Sequence, residues 1–174
     1  SLLRIQSRRT HSDDARDALT HAMRRVSAIA VVHDTLSEGL AQNVDFDDVF
    51  DRVLKLVAEV AASPNTRART RKTGTFGILP SEYATPLALA LTELVTNAVE
   101  HGLVDQEGEV EIIAERTEEQ LGVKVRDTGV GLPEGQVGRG LGTQLVRTLI
   151  QGELSGTIDW HTLVGSGTEV TIEI

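Results

Sequence analysis

Three polar residues follow one another at steps of four in a largely apolar segment. Glu93, Asn97 and His101 belong to ELVTNAVEH, residues 93–101, which overlaps the apolar run LALALTELV. Because an α-helix has about 3.6 residues per turn, side chains four residues apart share one face. A polar stripe on a helix that enters a core costs free energy unless a partner satisfies it. The spacing therefore predicts a ligand-binding face, with a solvated helix flank as the alternative.

The residue types on this face suit a bound magnesium ion. Asn97 offers an amide oxygen, a hard ligand, and Mg²⁺ is usually completed by substrate phosphates and waters. Glu93, one turn earlier, could orient a water molecule or act as a base.

Two further segments contain an acidic or anion-binding pattern. DTGVG, residues 127–131, follows a predicted strand, so Asp127 could accept a hydrogen bond from an exocyclic amine such as that of adenine. An ordinary turn at a hairpin end is the alternative. GRGLG, residues 138–142, precedes a predicted helix, where glycines and a helix N-terminus favour an anion such as phosphate. A flexible surface turn is the alternative there.

The elements that must position these segments can be read from hydrophobic periodicity and turn residues. A helix is predicted over residues 43–61, capped by Asp45, and another from Pro80 and Ser81 to His101 and Gly102. The remaining predictions are an edge strand, a hairpin, a short helix and a second hairpin: RARTRKTG, EVEIIAER with QLGVKVRD, TQLVRTLIQ, and GTIDWHTL with GTEVTIEI. This order predicts an α+β fold, a two-layer α/β sandwich whose mixed sheet carries helices on one face.

The first 40 residues have a different pattern. They predict two helices joined by a short turn, and such a hairpin cannot bury its single apolar face alone. A self-complementary dimer is therefore expected. SLLRIQSRR begins inside an apolar-periodic pattern without an N-cap, so we expect the chain to be a fragment of a longer protein. The predicted domains are a partial hairpin, residues 1–42, and a catalytic domain, residues 43–174.

Composition excludes several classes of protein. The 174 residues carry a net charge of −9, which disfavours a general nucleic-acid or anionic-membrane binder. With no cysteine, the chain has no disulfide and no thiolate metal site, as expected of a cytoplasmic protein. No apolar stretch reaches the roughly 20 residues that span a bilayer, so no membrane segment is expected.

Together, the glycine-rich segments and the polar helix resemble a known family. ELVTNAVEH, DTGVG, GRGLG and GSGT, residues 165–168, stand in the order of the N, G1, G2 and G3 boxes of the GHKL (Bergerat) ATP-binding fold. RRVSAIAVVHDTLSE and LLRIQSRRT resemble the dimerisation hairpin of HisKA_2-type bacterial histidine kinases, in particular the soluble kinases of actinobacteria. The resemblance implies ATP and Mg²⁺ as cofactors.

The resemblance also implies roles at the phosphate end of the nucleotide. Asn97 would hold Mg²⁺ against the phosphates, and Glu93 would polarise the reacting group or support the metal site. Arg139 would lie close by in the lid. Backbone amides would reach the phosphates from Gly140, Leu141 and Gly142.

At the other end of the nucleotide, the resemblance implies that Asp127 reads the adenine amine, helped through water by Thr168. Gly129 and Gly131 would leave space for the base, and His101 would line the ribose and adenine side.

The function implied is that of a sensor histidine kinase. Its ATP-binding part would transfer the γ-phosphoryl group to a histidine and then to an aspartate of a response-regulator receiver domain. In this kinase type the acceptor histidine precedes the LLRIQ-like segment, so no phospho-acceptor is expected in this chain. One alternative is an anti-sigma-factor serine kinase of the same fold, against which the hairpin argues. Another is a non-catalytic dimeric scaffold with a degenerate nucleotide pocket. The short lid, which is the segment between DTGVG and GRGLG, and the missing acceptor histidine favour this alternative.

Overall fold

The computed structural model describes residues 42–60, 67–103, 107–132, 140–163 and 167–174, together with positions 19, 22–23, 26–27, 29–30 and 33–34. The elements are β1 (Asn43–Asp45), α1 (Phe46–Val60), β2 (Arg67–Gly74), β3 (Ile78–Pro80), α2 (Ser81–Asn97), β4 (Glu107–Arg116), β5 (Leu121–Asp127), α3 (Leu141–Arg147), β6 (Thr157–Thr162) and β7 (Thr168–Glu173). Two of the helices continue into π-helical segments: α2 into Ala98–Gly102 and α3 into Thr148–Glu153.

Five strands form one mixed sheet in the order β2-β4-β5-β7-β6. β2 runs parallel to β4, and the other neighbouring strands are antiparallel. Every second residue of β5 is buried and the others are only partly so, which shows that the helices cover one face of the sheet. The predicted α+β sandwich is therefore confirmed, and RARTRKTG is an edge strand as expected.

Helix α1 buries one face because its apolar residues recur at helical spacing. Asp45 caps the helix as predicted, since its Oδ1 accepts a hydrogen bond from the backbone N–H of Asp47 at 3.0 Å. The ring of Phe76 lies 5.1 Å from that of Phe46 and 5.0 Å from that of Phe50, centroid to centroid. These aromatic contacts fix α1 against the loop that follows β2.

Helix α2 is the central helix of the layer, because it contacts both α1 and α3. It begins directly after Pro80 and its continuation ends at Gly102, as the sequence predicted. Its apolar residues pack on the sheet through a core that includes Leu87, Leu91, Val95, Val110, Ile112, Val123 and Ile172. Burial along almost the whole second half of α2 means that any polar side chain there is enclosed by protein.

A small second sheet was not predicted. Residues 43–45, expected to belong to a helix, form β1 and pair antiparallel with β3. The backbone N–H of Ser81 donates to the carbonyl of Gln42 at 2.9 Å, and that of Phe46 donates to the carbonyl of Gly77 at 3.1 Å. These bonds join residues about 30 to 40 positions apart, a pairing that three-residue strands do not reveal by periodicity.

The described positions before residue 40 are helical. Four apolar side chains among them, those of Leu19, Met23, Val26 and Ile29, are 44% to 66% exposed, so they are not buried by the described part of this chain. The remainder of the predicted hairpin, including its turn, lies outside the described residues. No helix in the described ranges is long and apolar enough to cross a membrane.

Candidate functional site

Asp127 is a buried carboxylate at the last position of β5. Asp127 is only 6% exposed, and its Oδ1 accepts a hydrogen bond from the backbone N–H of Gly129 at 2.8 Å. Thr168, at the start of β7, donates from both its backbone N–H and its hydroxyl. Burial raises the pKa of Asp127, and these hydrogen bonds only partly oppose the rise. A carboxylate can accept about four hydrogen bonds, so acceptor capacity remains for a ligand.

Three glycines bring backbone close to Asp127. A Cβ added at Gly102 would lie 2.8 Å from Oδ1 and 2.9 Å from Cγ of Asp127. A Cβ at Gly129 would overlap the carbonyl of Gly102, and one at Gly167 would overlap the carbonyl of Asp127. Gly167 also has a φ of 77°, which favours glycine. Because no side chain intervenes, three segments distant in sequence meet around one carboxylate.

Hydrogen bonds hold these segments together. The backbone N–H of Val130 donates to the carbonyl of Gly102 at 3.0 Å, and that of Gly167 donates to the carbonyl of Gly129 at 2.7 Å. The DTG turn is therefore fixed between the end of the α2 continuation and the loop before β7.

Gly131 was predicted to leave space for a base, and that role stays a prediction. The structure gives this glycine an additional steric reason: its φ is 77°, and an added Cβ would lie 3.1 Å from Cγ2 of Thr162 and 3.2 Å from the carbonyl oxygen of Gly167. Gly129 has a similar packing requirement, which the sequence did not reveal.

The polar stripe of α2 changes from buried to exposed along the helix. Glu93 is 2% exposed, Asn97 is half-buried, and His101 lies exposed on the π segment. The first residues of α3 approach the same stripe, because a Cβ added at Gly142 would lie 2.7 Å from Oε2 of Glu93. The same Cβ would lie 3.8 Å from both amide atoms of Asn97. Only a residue without a side chain fits here without displacing Glu93.

The other predicted residues of the glycine-rich segment have fewer constraints. Gly140 is the N-cap of α3 in an extended conformation, and an added Cβ would meet nothing within 4 Å. Leu141 is 73% exposed. The first N–H groups of a helix have no acceptor within the helix, so the amides of this segment can bind an external group. Arg139 lies outside the described residues, so its predicted role is untested.

The donor set of the site suits a metal ion that arrives with its own ligands. Within the described ranges, no group of three or more histidine, aspartate or glutamate side chains is arranged to hold a metal ion. Asn97 presents an amide beside Gly142, where an added Cβ would fill the space. Mg²⁺ bound chiefly by phosphates and waters needs only one or two protein oxygens. The residues present therefore fit a magnesium–nucleotide complex and do not fit a metal held by protein alone.

Sequence reasoning missed Gly102. A glycine after the last periodic residue of a helix is the usual stop signal, and that interpretation gave no reason to look further. Its contact with Asp127 depends on β5, which begins 19 residues later, so no local pattern announces it.

Two family models match the chain. The model of the histidine kinase-, DNA gyrase B- and HSP90-like ATPases matches residues 82–174, and the HisKA_2 histidine kinase model matches residues 1–61. The first match contains all the residues predicted for nucleotide binding.

Curated relatives are similar over the whole chain. The sensor histidine kinase PdtaS of Mycolicibacterium smegmatis and that of Mycobacterium tuberculosis are each 42% identical to it, with 100% of this chain covered. The chain spans 36% of the length of these relatives.

Solved structures share the fold. The histidine kinase domain of a blue-light-activated kinase from Erythrobacter litoralis superposes with a TM-score of 0.77 at 26% identity, covering 88% of this chain and 74% of that one. The histidine kinase AdeS of Acinetobacter baumannii has a TM-score of 0.60 at 22% identity, covering 92% of this chain and 80% of its own, and indicates the fold alone. The order of the elements and the glycines around Asp127 agree with the family model that matches residues 82–174. The chain therefore belongs to the histidine kinase-, DNA gyrase B- and HSP90-like ATPase family.

Proposed function

We propose that this chain is the ATP-binding catalytic part of a two-component sensor histidine kinase. One observation carries the proposal: the helix that bears Glu93 and Asn97 meets Gly142 of the glycine-rich segment and, at its far end, places Gly102 against Asp127. This arrangement supports the proposal that the phosphate-binding and base-binding groups implied by the family resemblance form one site.

At the base end, Asp127 accepts a hydrogen bond from the exocyclic amine of adenine. The proposal is supported by the burial of Asp127 and by its hydrogen bonds within the described part of the chain, three in number from Gly129 and Thr168, which leave acceptor capacity. Thr168 assists through water, Gly129 and Gly131 leave room for the ring, and His101 lines the ribose and adenine side.

At the phosphate end, Asn97 holds Mg²⁺ against the phosphates, and Glu93 polarises the reacting group or supports the metal site. When bound, Mg²⁺ supplies positive charge that offsets the charge of the phosphates. The backbone amides of 140–142 and the side chain of Arg139 contact the phosphates. This assignment is supported by the position of Gly142 beside Glu93 and Asn97.

Catalysis by these residues consists of positioning and charge stabilisation, as is general for phosphoryl transfer. The γ-phosphoryl group passes to a histidine nitrogen and from there to an aspartate of a response-regulator receiver domain. The residues described here bind and orient the donor nucleotide.

We propose that the N-terminal residues mediate dimerisation, as the family resemblance implies, and that the kinase acts in the cytoplasm. Exposed apolar side chains at Leu19, Met23, Val26 and Ile29 favour burial against a second copy. We place the boundary between hairpin and catalytic domain at residues 42 and 43, because β1 pairs with β3 of the catalytic domain. The match of residues 1–61 to a histidine kinase model favours this function over an anti-sigma-factor serine kinase.

Calorimetry with ADP tests the binding site. The chain is expected to bind ADP more tightly with Mg²⁺ than with a chelator, and Asn97→Ala is expected to abolish that gain while the chain remains folded. Asn43→Ala, an exposed asparagine of β1, serves as the control and keeps the gain. No heat at millimolar ADP with folded protein would exclude the proposed function.

Transfer itself is tested on the natural full-length protein with γ-labelled ATP. An acid-labile, base-stable label is expected, since phosphohistidine has that behaviour. If ADP binds but no label is incorporated, the non-catalytic scaffold is the better description.

A further inference from the structure

Gly102 is the last residue of the π segment and lies directly behind the carboxylate of Asp127. An added Cβ would lie 2.8 Å from Oδ1, 2.9 Å from Cγ and 3.2 Å from Oδ2 of that side chain. These separations are below van der Waals contact, so the carboxylate occupies the space that a side chain at position 102 would need. The contact concerns the whole carboxylate and not only one oxygen.

The backbone of Gly102 is fixed on both sides. Its carbonyl accepts the N–H of Val130 at 3.0 Å, and the next residue, Leu103, donates to the carbonyl of Ala98 at 3.0 Å. Both Gly102 and Leu103 are buried. A methyl group at position 102 can therefore be accommodated most easily by rotation or displacement of the Asp127 side chain, which has two rotatable bonds.

We propose that Gly102 is a positioning residue that sets base specificity, because its missing side chain keeps the Asp127 carboxylate where it accepts from the exocyclic amine of adenine. This inference rests on the proposed function. According to this inference, the end of the α2 continuation contributes to recognition of the base, and α2 itself contributes to metal binding through Asn97.

A matched control exists in the second π segment. Gly152 lies near the end of Thr148–Glu153, is exposed, and an added Cβ there would meet nothing within 4 Å. Gly102→Ala and Gly152→Ala therefore make the same chemical change at similar positions of two π segments. The loss of glycine flexibility affects both variants, whereas only Gly102 of these two glycines contacts Asp127.

The test is the ratio of affinities for ADP and inosine diphosphate, measured by calorimetry with Mg²⁺. Inosine has a carbonyl oxygen in place of the exocyclic amine, which repels a carboxylate. The natural chain and Gly152→Ala are expected to prefer ADP by roughly tenfold or more. Gly102→Ala is expected to bring the ratio to about one, a change that general loosening of the fold would not produce.

The outcomes separate the inference from the proposed function. A natural chain that binds both nucleotides equally would overturn adenine recognition by Asp127, and the inference with it. A natural chain that prefers ADP, together with a Gly102→Ala variant that keeps the same preference, would overturn only the inference.

If Gly102→Ala does not fold, a second variant decides. In Gly102→Ala/Asp127→Ala the side-chain atoms nearest the added methyl group are absent, so folding is expected to return to that of Asp127→Ala. A double variant that remains unfolded while Asp127→Ala folds would show that Gly102 does not act through Asp127, and the inference would be wrong.

Discussion

Two aspartates, the partly buried Asp47 in α1 and the buried Asp127 at the end of β5, have different chemical environments. Each accepts backbone N–H groups from a nearby turn, yet the pKa of Asp47 is lowered and that of Asp127 is raised. Asp47 is only partly buried and accepts four hydrogen bonds, one of them from the cation of Lys72. Asp127 is more deeply buried and accepts three hydrogen bonds, all from neutral groups of Gly129 and Thr168.

Asp47 is surrounded by donors from the end of β2 and the loop after it. Its carboxylate accepts the Nζ of Lys72 at 3.1 Å, the hydroxyl of Thr75 at 2.6 Å, and the backbone N–H groups of Phe76 at 3.3 Å and Gly77 at 2.9 Å. Burial alone would raise its pKa, but these hydrogen bonds outweigh that effect and lower it. A carboxylate so fully satisfied by protein has a structural role, here to join α1 to the loop before β3.

Asp127 is more deeply enclosed and receives donors from Gly129 and Thr168 only, among the described residues. Burial dominates and raises its pKa. Three glycines, Gly102, Gly129 and Gly167, bring the backbone close to the carboxylate, and none of them has a side chain that could occupy the space around it. The comparison supports the proposed ligand-binding role of Asp127 and a structural role for Asp47.

The largest expected effect is on nucleotide binding. Asp127→Asn keeps the shape of the side chain but removes its charge, and a hydrogen bond to a charged group contributes about 2–3 kcal/mol, or roughly 30–150-fold in affinity. We expect the dissociation constant for Mg·ADP in calorimetry to rise by about that factor at neutral pH. The free energy of unfolding should stay equal or increase, because an enclosed charge is removed. Unchanged affinity would contradict the role of Asp127.

These roles were predictable to different degrees from sequence. Asp127 and Asn97 could be predicted as ligand-binding residues because each has a clear position relative to a periodic segment: the end of an alternating strand and the polar stripe of an apolar helix. The donors to Asp47 lie 25 to 30 residues away along the chain, so no local pattern singled out Asp47. Local periodicity predicts elements, whereas contacts between elements depend on packing that no single segment encodes.

The same limit applies to β1, β3 and the π segments. A three-residue strand carries too little alternation to be recognised, and the switch from α to π hydrogen bonding at Ala98 has no signal in composition. Gly102, the last residue of the first π segment, lies against Asp127, and this contact between the two ends of the proposed site could not be predicted from the sequence.

The next effect is on stability. Asp47→Ala leaves several donors without their acceptor, and we expect the free energy of unfolding in urea to fall by about 2–3 kcal/mol. The affinity for Mg·ADP should change less than about twofold at a temperature where the variant is folded. Asp48→Ala is the control, since Asp48 lies in the same first turn of α1 and is exposed. If Asp47→Ala weakened binding as much as Asp127→Asn, the contrast between the two carboxylates would be lost.

The pH dependence of stability should have opposite signs at the two residues. Because the pKa of Asp47 is lowered, its contribution is present above the ordinary value of 3.8 and is lost as pH falls through the lowered pKa. Because the pKa of Asp127 is raised, the folded state loses stability as pH rises from 3.8 through that raised pKa.

Urea unfolding from about pH 3 to pH 8 checks both signs. As pH falls, the free energy of unfolding of the natural chain should lose its advantage over that of Asp47→Asn. Over the same range, the free energy of unfolding of the natural chain should increase relative to that of Asp127→Asn. Parallel curves for the two variants would mean that the two carboxylates do not differ in the way described.

The smallest expected effect is on stability and concerns a threonine hydroxyl in α2. The hydroxyl of Thr96 in α2 is buried and has no hydrogen-bond partner among the described residues, whereas that of Thr92, one turn earlier, donates to the carbonyl of Ala88 at 2.6 Å. Valine has nearly the shape of threonine, so Thr96→Val should raise the free energy of unfolding by about 1 kcal/mol, and Thr92→Val should lower it by a similar or smaller amount. Thermal and urea unfolding compare the two variants directly. A loss of stability in Thr96→Val would reveal a partner for its hydroxyl, such as an ordered water, and would make Thr96 a satisfied group like Asp47.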